Sequence, residues 1–190
     1  MKLPIRKYGD PVLRQKGARI TTITPELKKL VADMFDTMYE AHGVGLAAQQ
    51  IGEALQLTVL DVRGIKDRPS SMSINGQSVN PEDHMPLVLI NPELKLGAAL
   101  VKGPEGCLSF PEVFADITRP ETVEVTATND KGEKVSFQAG GLLAKAVQHE
   151  FDHLQGTLFI DRMTAEVKRE LKKELYALAE ETKSQLKKKR

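Results

Sequence analysis

The residues of this chain best suited to chemistry are two histidines four positions apart with a glutamate just after the first: Gln148-His149-Glu150-Phe151-Asp152-His153. On a helix of about 3.6 residues per turn, side chains at i and i+4 leave one face together, so the two imidazoles can hold a single metal ion. Glu150 projects roughly 100° round from His149, close enough to reach a ligand of that metal without binding it, which is the place of a general base. Burying two imidazoles and a carboxylate on a core-facing helix is costly unless something pairs them, and a metal does. A third ligand must come from elsewhere. The chain has one cysteine, Cys107, in the run Gly103-Pro104-Glu105-Gly106-Cys107-Leu108-Ser109-Phe110-Pro111, whose glycines and prolines mark a loop. A thiolate from such a loop completes a Cys-plus-two-His set with a fourth position left to water, and an open position means catalysis. A single cysteine also excludes an intramolecular disulfide. The remaining histidines are assigned no chemistry: His42 is a cation at a helix end and His84 a solvated loop residue.

These groups need elements to position them. Gly140-Gly141 precedes the metal helix and Gly156 can close it in a left-handed conformation, while Leu142, Ala146, His149 and His153 form one stripe beside Leu143, Val147 and Leu154. Upstream, Thr24 caps a helix with Pro25 and Glu26 in its first turn. Leu27, Leu30, Val31, Met34, Met38 and Ala41 follow at helical spacing until Gly43 stops it. Next comes Gly43-Val44-Gly45-Leu46-Ala47-Ala48-Gln49-Gln50, where alternate glycines let a backbone approach a ligand closely. Residues 57–62 and 87–91 are buried strands. The polar segment 63–86 between them is long for a structureless loop, and Asn75-Gly76 could turn a short hairpin within it. Residues 122–128 and 134–137 alternate about a turn at Asn129-Asp130-Lys131-Gly132, as an antiparallel hairpin does. A last helix, about residues 164–186, is capped by Thr164 and carries the stripe Val167, Leu171, Leu175 and Leu178 before a basic tail, 187–190. Residues 2–24 are a loop-rich arm over the core with no legible function.

A chain of 190 residues is long enough for one domain with a sizeable core, taken as residues 1–190. With 41% hydrophobic and 28% charged residues and a net charge of +1, it has the composition of a soluble globular protein, and bulk charge implicates no polyanionic partner. No segment has the continuous apolar run of a signal peptide or a membrane span, so the expectation is a cytoplasmic protein without membrane contact.

Three separated segments, the Gly43 to Gln50 run, Glu105-Gly106-Cys107-Leu108-Ser109, and Gln148-His149-Glu150-Phe151-Asp152-His153, together resemble the bacterial peptide deformylases. The resemblance covers the chain from the N-terminal helix to the last helix. It implies an α+β fold in which antiparallel β-sheets surround a central metal-binding helix. It further implies one divalent metal per chain, ferrous iron in the cell with zinc, nickel or cobalt able to substitute, held by Cys107, His149 and His153. The reaction would be hydrolysis of the formyl group from formyl-methionyl peptides and nascent chains, releasing formate. Water activated at the metal would attack the formyl carbon with Glu150 as general base and acid. Gln50, through its side-chain amide, and Leu108, through its backbone N–H, would be the oxyanion donors. Gly45 matches a backbone contact to substrate, Val44, Leu142 and Ala146 would line the methionine pocket, and Glu105 and Gly106 of the cysteine motif would complete the substrate site. The basic C-terminal helix is compatible with ribosome contact, as in some family members, and no specific nucleic-acid sequence is expected to be read.

The chain also departs from the family pattern. Phe114 stands where an arginine is frequent, seven residues after the cysteine. Gln49 replaces a frequent proline, which should alter the turn but not the chemistry, and the 63–86 insert is longer than in the shortest members, with scope to reshape one rim of the cleft. Zinc endopeptidases share His-Glu-x-x-His but need a third ligand downstream, and no histidine follows Gly156. A structural metal domain would need a fourth ligand, which the sequence does not offer.

Overall fold

The computed structural model describes residues 1–188; Lys189 and Arg190 of the basic tail lie outside the described residues. The arm before residue 25 is mostly irregular, with one 3-10 turn at Pro11–Arg14. Helix α1 (Pro25–Glu40) starts as its sequence dictates, the Thr24 hydroxyl accepting the Leu27 N–H at 3.2 Å and Pro25 sitting where no N–H is needed. Its end differs from expectation. His42, not Gly43, takes the left-handed conformation, with φ 55°, and the Gly43 N–H closes on the Met38 carbonyl at 2.9 Å. Gly43 packs closely under Leu108, for a Cβ there would stand 2.8 Å from Leu108 Cδ1 and displace that methyl.

Nine strands follow: β1 (Gly45–Ala47), β2 (Leu57–Leu60), β3 (Ser70–Ile74), β4 (Gln77–Val79), β5 (Leu87–Leu96), β6 (Leu100–Cys107), β7 (Phe110–Pro120), β8 (Thr122–Thr128) and β9 (Lys134–Gly140). Seven form one antiparallel sheet in the order β1-β2-β5-β8-β9-β3-β4, and β6 and β7 form a separate hairpin. Helix α2 (Gly141–Leu154) packs against strands of both sheets, so the expected α+β class holds. Helices α3 (Ala165–Glu170) and α4 (Lys172–Lys188) end the chain. They replace the single expected helix, interrupted at Leu171, although Thr164 caps the start as anticipated, accepting the Val167 N–H at 3.3 Å. Val167, Leu171, Leu175 and Leu178 pack with Leu13, Phe110 and Phe159, which ties the arm and β7 to the C-terminal helices. Among the described residues, no helix is long and apolar enough to cross a membrane.

One segment departs from the sequence reading and another bears it out. The run 103–111, expected as a loop, is strand β6 up to Cys107, then a turn at Leu108-Ser109, then the start of β7. Glycine and Pro104 are tolerated because β6 has one partner strand, so the missing N–H breaks no second ladder. At Gly106/Cys107 the register shifts in a β-bulge, with the extra residues on β7, and Cys107 pairs with Phe110 at the end of the hairpin. The insert 63–86 is not a structureless loop. Asn75 (φ 52°) and Gly76 (φ 76°) make the turn between β3 and β4, and β3 pairs with β9.

That insert also holds the N-terminus of α2. The Pro69 carbonyl accepts the Leu142 N–H and the Ser70 hydroxyl accepts the Leu143 N–H, each at 3.1 Å, satisfying donors that the helix itself leaves free. Gly141 makes the junction, with φ 61° and no room for a Cβ against the Pro69 carbonyl. At the other end the Leu154 carbonyl accepts from the Gly17 N–H and from Gln56 Nε2, both at 2.9 Å. Gly156 (φ 74°) closes the helix as expected. Replacing Gly141 by alanine should therefore cost about 2–3 kcal/mol of stability, from left-handed strain alone, before the clash with Pro69 is relieved. Chemical denaturation of the variant checks this, and a change under 0.5 kcal/mol, about the size of a neutral surface substitution, would show that the junction is not constrained.

Candidate active site

Helix α2 carries His149, Glu150 and His153 side by side, and Cys107, the last residue of β6, meets the two histidines. The ligand atoms of Cys107, His149 and His153 all lie within 4.8 Å of one another, and Cys107 Sγ is 3.3 Å from His153 Nε2. In a tetrahedral site with metal–sulfur and metal–nitrogen distances of about 2.3 and 2.0 Å, such atoms stand roughly 3.5 Å apart. The three side chains therefore fit a divalent metal with little movement. Their electrostatics agree. Burial opposes charge on His149, yet negative charge at Cys107 and the bond to Glu105 hold it well above its ordinary value, while burial and the neighbouring His149 push His153 well below.

The His149 ring is aimed by groups that no local motif announced. Its Nδ1 is 3.1 Å from Glu105 Oε2, which leaves Nε2 toward Cys107. Arg119, from β7, donates to both Glu105 oxygens at 2.5 and 3.0 Å and to Asp152 Oδ2 at 2.9 Å. Arg162 then clasps Asp152 from outside, at 3.1 and 2.7 Å. Burial raises the Glu105 carboxyl, but His149 and Arg119 hold it at about 2, so it is ionised. Sequence reasoning missed Arg119. A signal existed, because Ile117 and Arg119 both face inward on β7 at alternate positions, and a charged residue on the inner face of a strand needs a partner.

Glu150 is buried and points into the same cleft. Burial pushes its carboxyl up to about 7, against the pull of His149 and Arg119. Its Oε2 has no hydrogen-bond partner among the described residues. Gly45 lies against it, for a Cβ at 45 would stand 2.6 Å from Glu150 Oε1. Gln50 occupies a 3-10 turn, Ala48–Ile51, and its Oε1 accepts the Ala47 N–H at 2.9 Å. That bond orients its Nε2 toward Ser109 Oγ at 3.2 Å and Cys107 Sγ at 3.6 Å. Gln49, expected to alter only the turn, is buried, with its amide 3.4 Å from the Gln15 carbonyl.

A cleft of about 530 Å³ gathers these groups, and Val44, Gly45, Leu108, Leu142 and Ala146 line it. Glu105 and Gly106 line it too, although both Glu105 oxygens are occupied as described. Phe114 sits on the rim, 69% exposed, with its ring over Gly106, where a Cβ would meet it at 2.7 Å. His84 is exposed on the insert, away from the cleft lining, whereas His42 forms part of that lining.

A thiolate and two imidazoles beside a buried carboxylate, at the floor of a cleft, define a metallohydrolase type of centre. The chain belongs to the polypeptide deformylase family, which it matches over residues 2–169. It is 49% identical over 175 residues to a peptide deformylase of Methylacidiphilum infernorum, covering 92% of each chain. Among solved structures, a plant peptide deformylase 1B superimposes with a TM-score of 0.83 at 39% identity, covering 96% of this chain and 92% of that one. A peptide deformylase of Thermotoga maritima gives 0.74 at 38% identity, covering 86% and 99%. The chain is thus an enzyme of a metal-dependent family that removes the N-formyl group from nascent peptides.

If Glu105 aims His149, its replacement by glutamine should weaken metal binding by about 10–100-fold, the usual effect of removing a partner behind a ligating histidine. Competition against a chelator measures this directly. An unchanged dissociation constant would rule out the aiming role.

Proposed function

We propose that the enzyme hydrolyses the formyl group of N-formylmethionyl nascent chains at the metal held by Cys107, His149 and His153, with Glu150 moving the protons. The observation that carries this reading is the meeting of those three side chains within 4.8 Å, with Cys107, His149 and the buried Glu150 lining one cleft. The metal is ferrous iron, with zinc, nickel or cobalt able to take its place; a thiolate with two imidazoles suits all of these borderline cations. Bound there, it supplies Lewis acidity and brings the pKa of water toward neutral.

The side chains do the rest. Glu150 takes the proton of the attacking water and returns it to the leaving amine, a role its burial and free Oε2 suit. As the formyl carbon becomes tetrahedral, Gln50 Nε2 and the Leu108 N–H meet the charge on its oxygen. They are useful because they are held beforehand, Gln50 by its bond to the Ala47 N–H. Val44, Leu142 and Ala146 pack on the methionine side chain. The peptide beyond it runs between two strand edges, β1 at the end of the large sheet and β6 of the hairpin, since Gly45 and Gly106 of those strands both line the cleft. Glu105 acts through His149, and Gly106 leaves room for the Phe114 ring. Residues 1–190 act as one catalytic domain in the cytoplasm, where formylated chains emerge. Exposed Lys183, Lys187 and Lys188 on α4 give a basic surface for contact with the ribosome.

Formate release from a formyl-methionyl tripeptide, by protein reconstituted anaerobically with iron, tests the reading beside a Glu150→Ala variant. The variant should keep its metal and lose about 10²–10⁴ in kcat. Metal-loaded parent protein that releases no formate would overturn the proposal, and a fully active variant would remove Glu150 from it.

A further inference from the structure

The N-terminal arm, whose sequence is silent about function, crosses the site. Three consecutive residues bond three backbone carbonyls there: the Arg6 N–H donates to Gln50 O at 2.7 Å, Lys7 Nζ to Leu108 O at 2.7 Å, and the Tyr8 N–H to Ser109 O at 2.9 Å. Gln50 lies in the Ala48–Ile51 turn beside the large sheet, whereas Leu108 and Ser109 form the turn of the β6–β7 hairpin. Among the described residues, no ladder joins the two sheets. The two turns meet directly through the contacts of Gln50 Nε2 with Ser109 Oγ and Cys107 Sγ, at 3.2 and 3.6 Å, and the arm spans them.

We propose that residues 6–8 form a strap that fixes the spacing of the two oxyanion donors, with Lys7 as its positioning residue. This rests on the reading of Gln50 and the Leu108 N–H as those donors. The physical case is that such donors act only when they are in place before charge develops, and a displacement of about 1 Å can cost on the order of 10²-fold in rate. Each donor sits on a separate piece of scaffold, so their separation is only as rigid as the connection between the pieces. The strap uses two neutral backbone bonds and one charge-assisted bond from a half-buried ammonium, the stronger kind. The Lys7 bond grips the carbonyl of the same residue whose N–H faces the formyl oxygen, and so sets the orientation of that residue. Lys7 also lines the cleft, which places the end of the strap at the reacting group and not behind it.

The test compares the parent, Lys7→Met, Lys7→Arg and Gln50→Ala, each loaded with the same metal, using a formyl-methionyl tripeptide. Rates are expressed per bound metal. Lys7→Met keeps the packing of the stem but loses the donor and the charge. It should lower kcat about tenfold or more with KM within about twofold, because a transition-state contact is loosened and ground-state binding is not. Lys7→Arg should regain most of the rate. Amide exchange should quicken at Leu108 and Ser109 in the methionine variant and return toward the parent value in the arginine variant. Lys7→Gln replaces Lys7→Met if the latter does not accumulate as folded protein, and the same direction is expected. A slow Gln50→Ala beside a Lys7→Met of parental kcat per bound metal overturns the strap and leaves the donors standing. A Gln50→Ala at the parental rate overturns the donor reading beneath it.

Discussion

A guanidinium buried between two carboxylates fixes the relation among the parts of this enzyme. Arg119 comes from the hairpin, Glu105 from its partner strand, Asp152 from α2, and Arg162 from the segment after α2. Burying the Arg119, Glu105 or Asp152 charge alone would cost several kcal/mol, and each is tolerated because an opposite charge stands within hydrogen-bond distance, while Arg162 adds its contact from the surface. The hairpin bearing Cys107 is in a different sheet from most of the strands that pack α2. Hydrophobic contact alone would let it slide over the helix, since apolar packing has no direction. The ionic ladder does have direction. It allows one register of hairpin on helix, and in that register Cys107 faces His153.

The same helix is pinned at both ends by segments that contribute no chemistry. At its N-terminus the insert supplies the Pro69 carbonyl and Ser70 hydroxyl, and at its C-terminus Gly17 and Gln56 hold the Leu154 carbonyl. A site read by three ligands needs such support, because a small rotation of α2 would carry both imidazoles away from the thiolate together. The insert therefore serves both as part of the cleft lining, through Arg68, and as a clamp on the helix behind it.

How much of this is legible in the sequence depends on whether the determinant is local. The i, i+4 histidines, the Thr24 cap, the Asn75-Gly76 turn and the 122–128 alternation are short-range patterns, and each appears in the structure where its spacing places it. Strand β6 was hidden because its glycines and Pro104 carry loop statistics, and only pairing with β7, a tertiary event, makes it a strand. Arg119 was hidden for a related reason: it lies 14 residues from Glu105 and 33 from Asp152, and no periodicity connects them. The lysine of the arm was less visible still, its partner being a backbone carbonyl 101 residues away.

The distribution of satisfied and unsatisfied polar atoms separates scaffold from site. Arg119 and Asp152 are buried, the Glu105 side chain is only 7% exposed, and all three are engaged in ion pairs. Glu150 Oε2 and His153 Nδ1, equally buried, have no partner among the described residues. An orphaned carboxylate oxygen in such surroundings costs on the order of 1–3 kcal/mol, and Gly45, by omitting a Cβ, keeps the space beside it free of a side chain. Arg6 Nε and Gln49 Oε1 are also left without partners, but only at Glu150 does an orphaned carboxylate oxygen stand among charges that are themselves closed. A carboxylate held in this way can accept a proton from water that enters the cleft, which a paired one could not do without first breaking its own bonds. The buried ladder and the orphaned oxygen are two halves of one arrangement: the rigidity of the first holds the second in a state that solvent would otherwise relax.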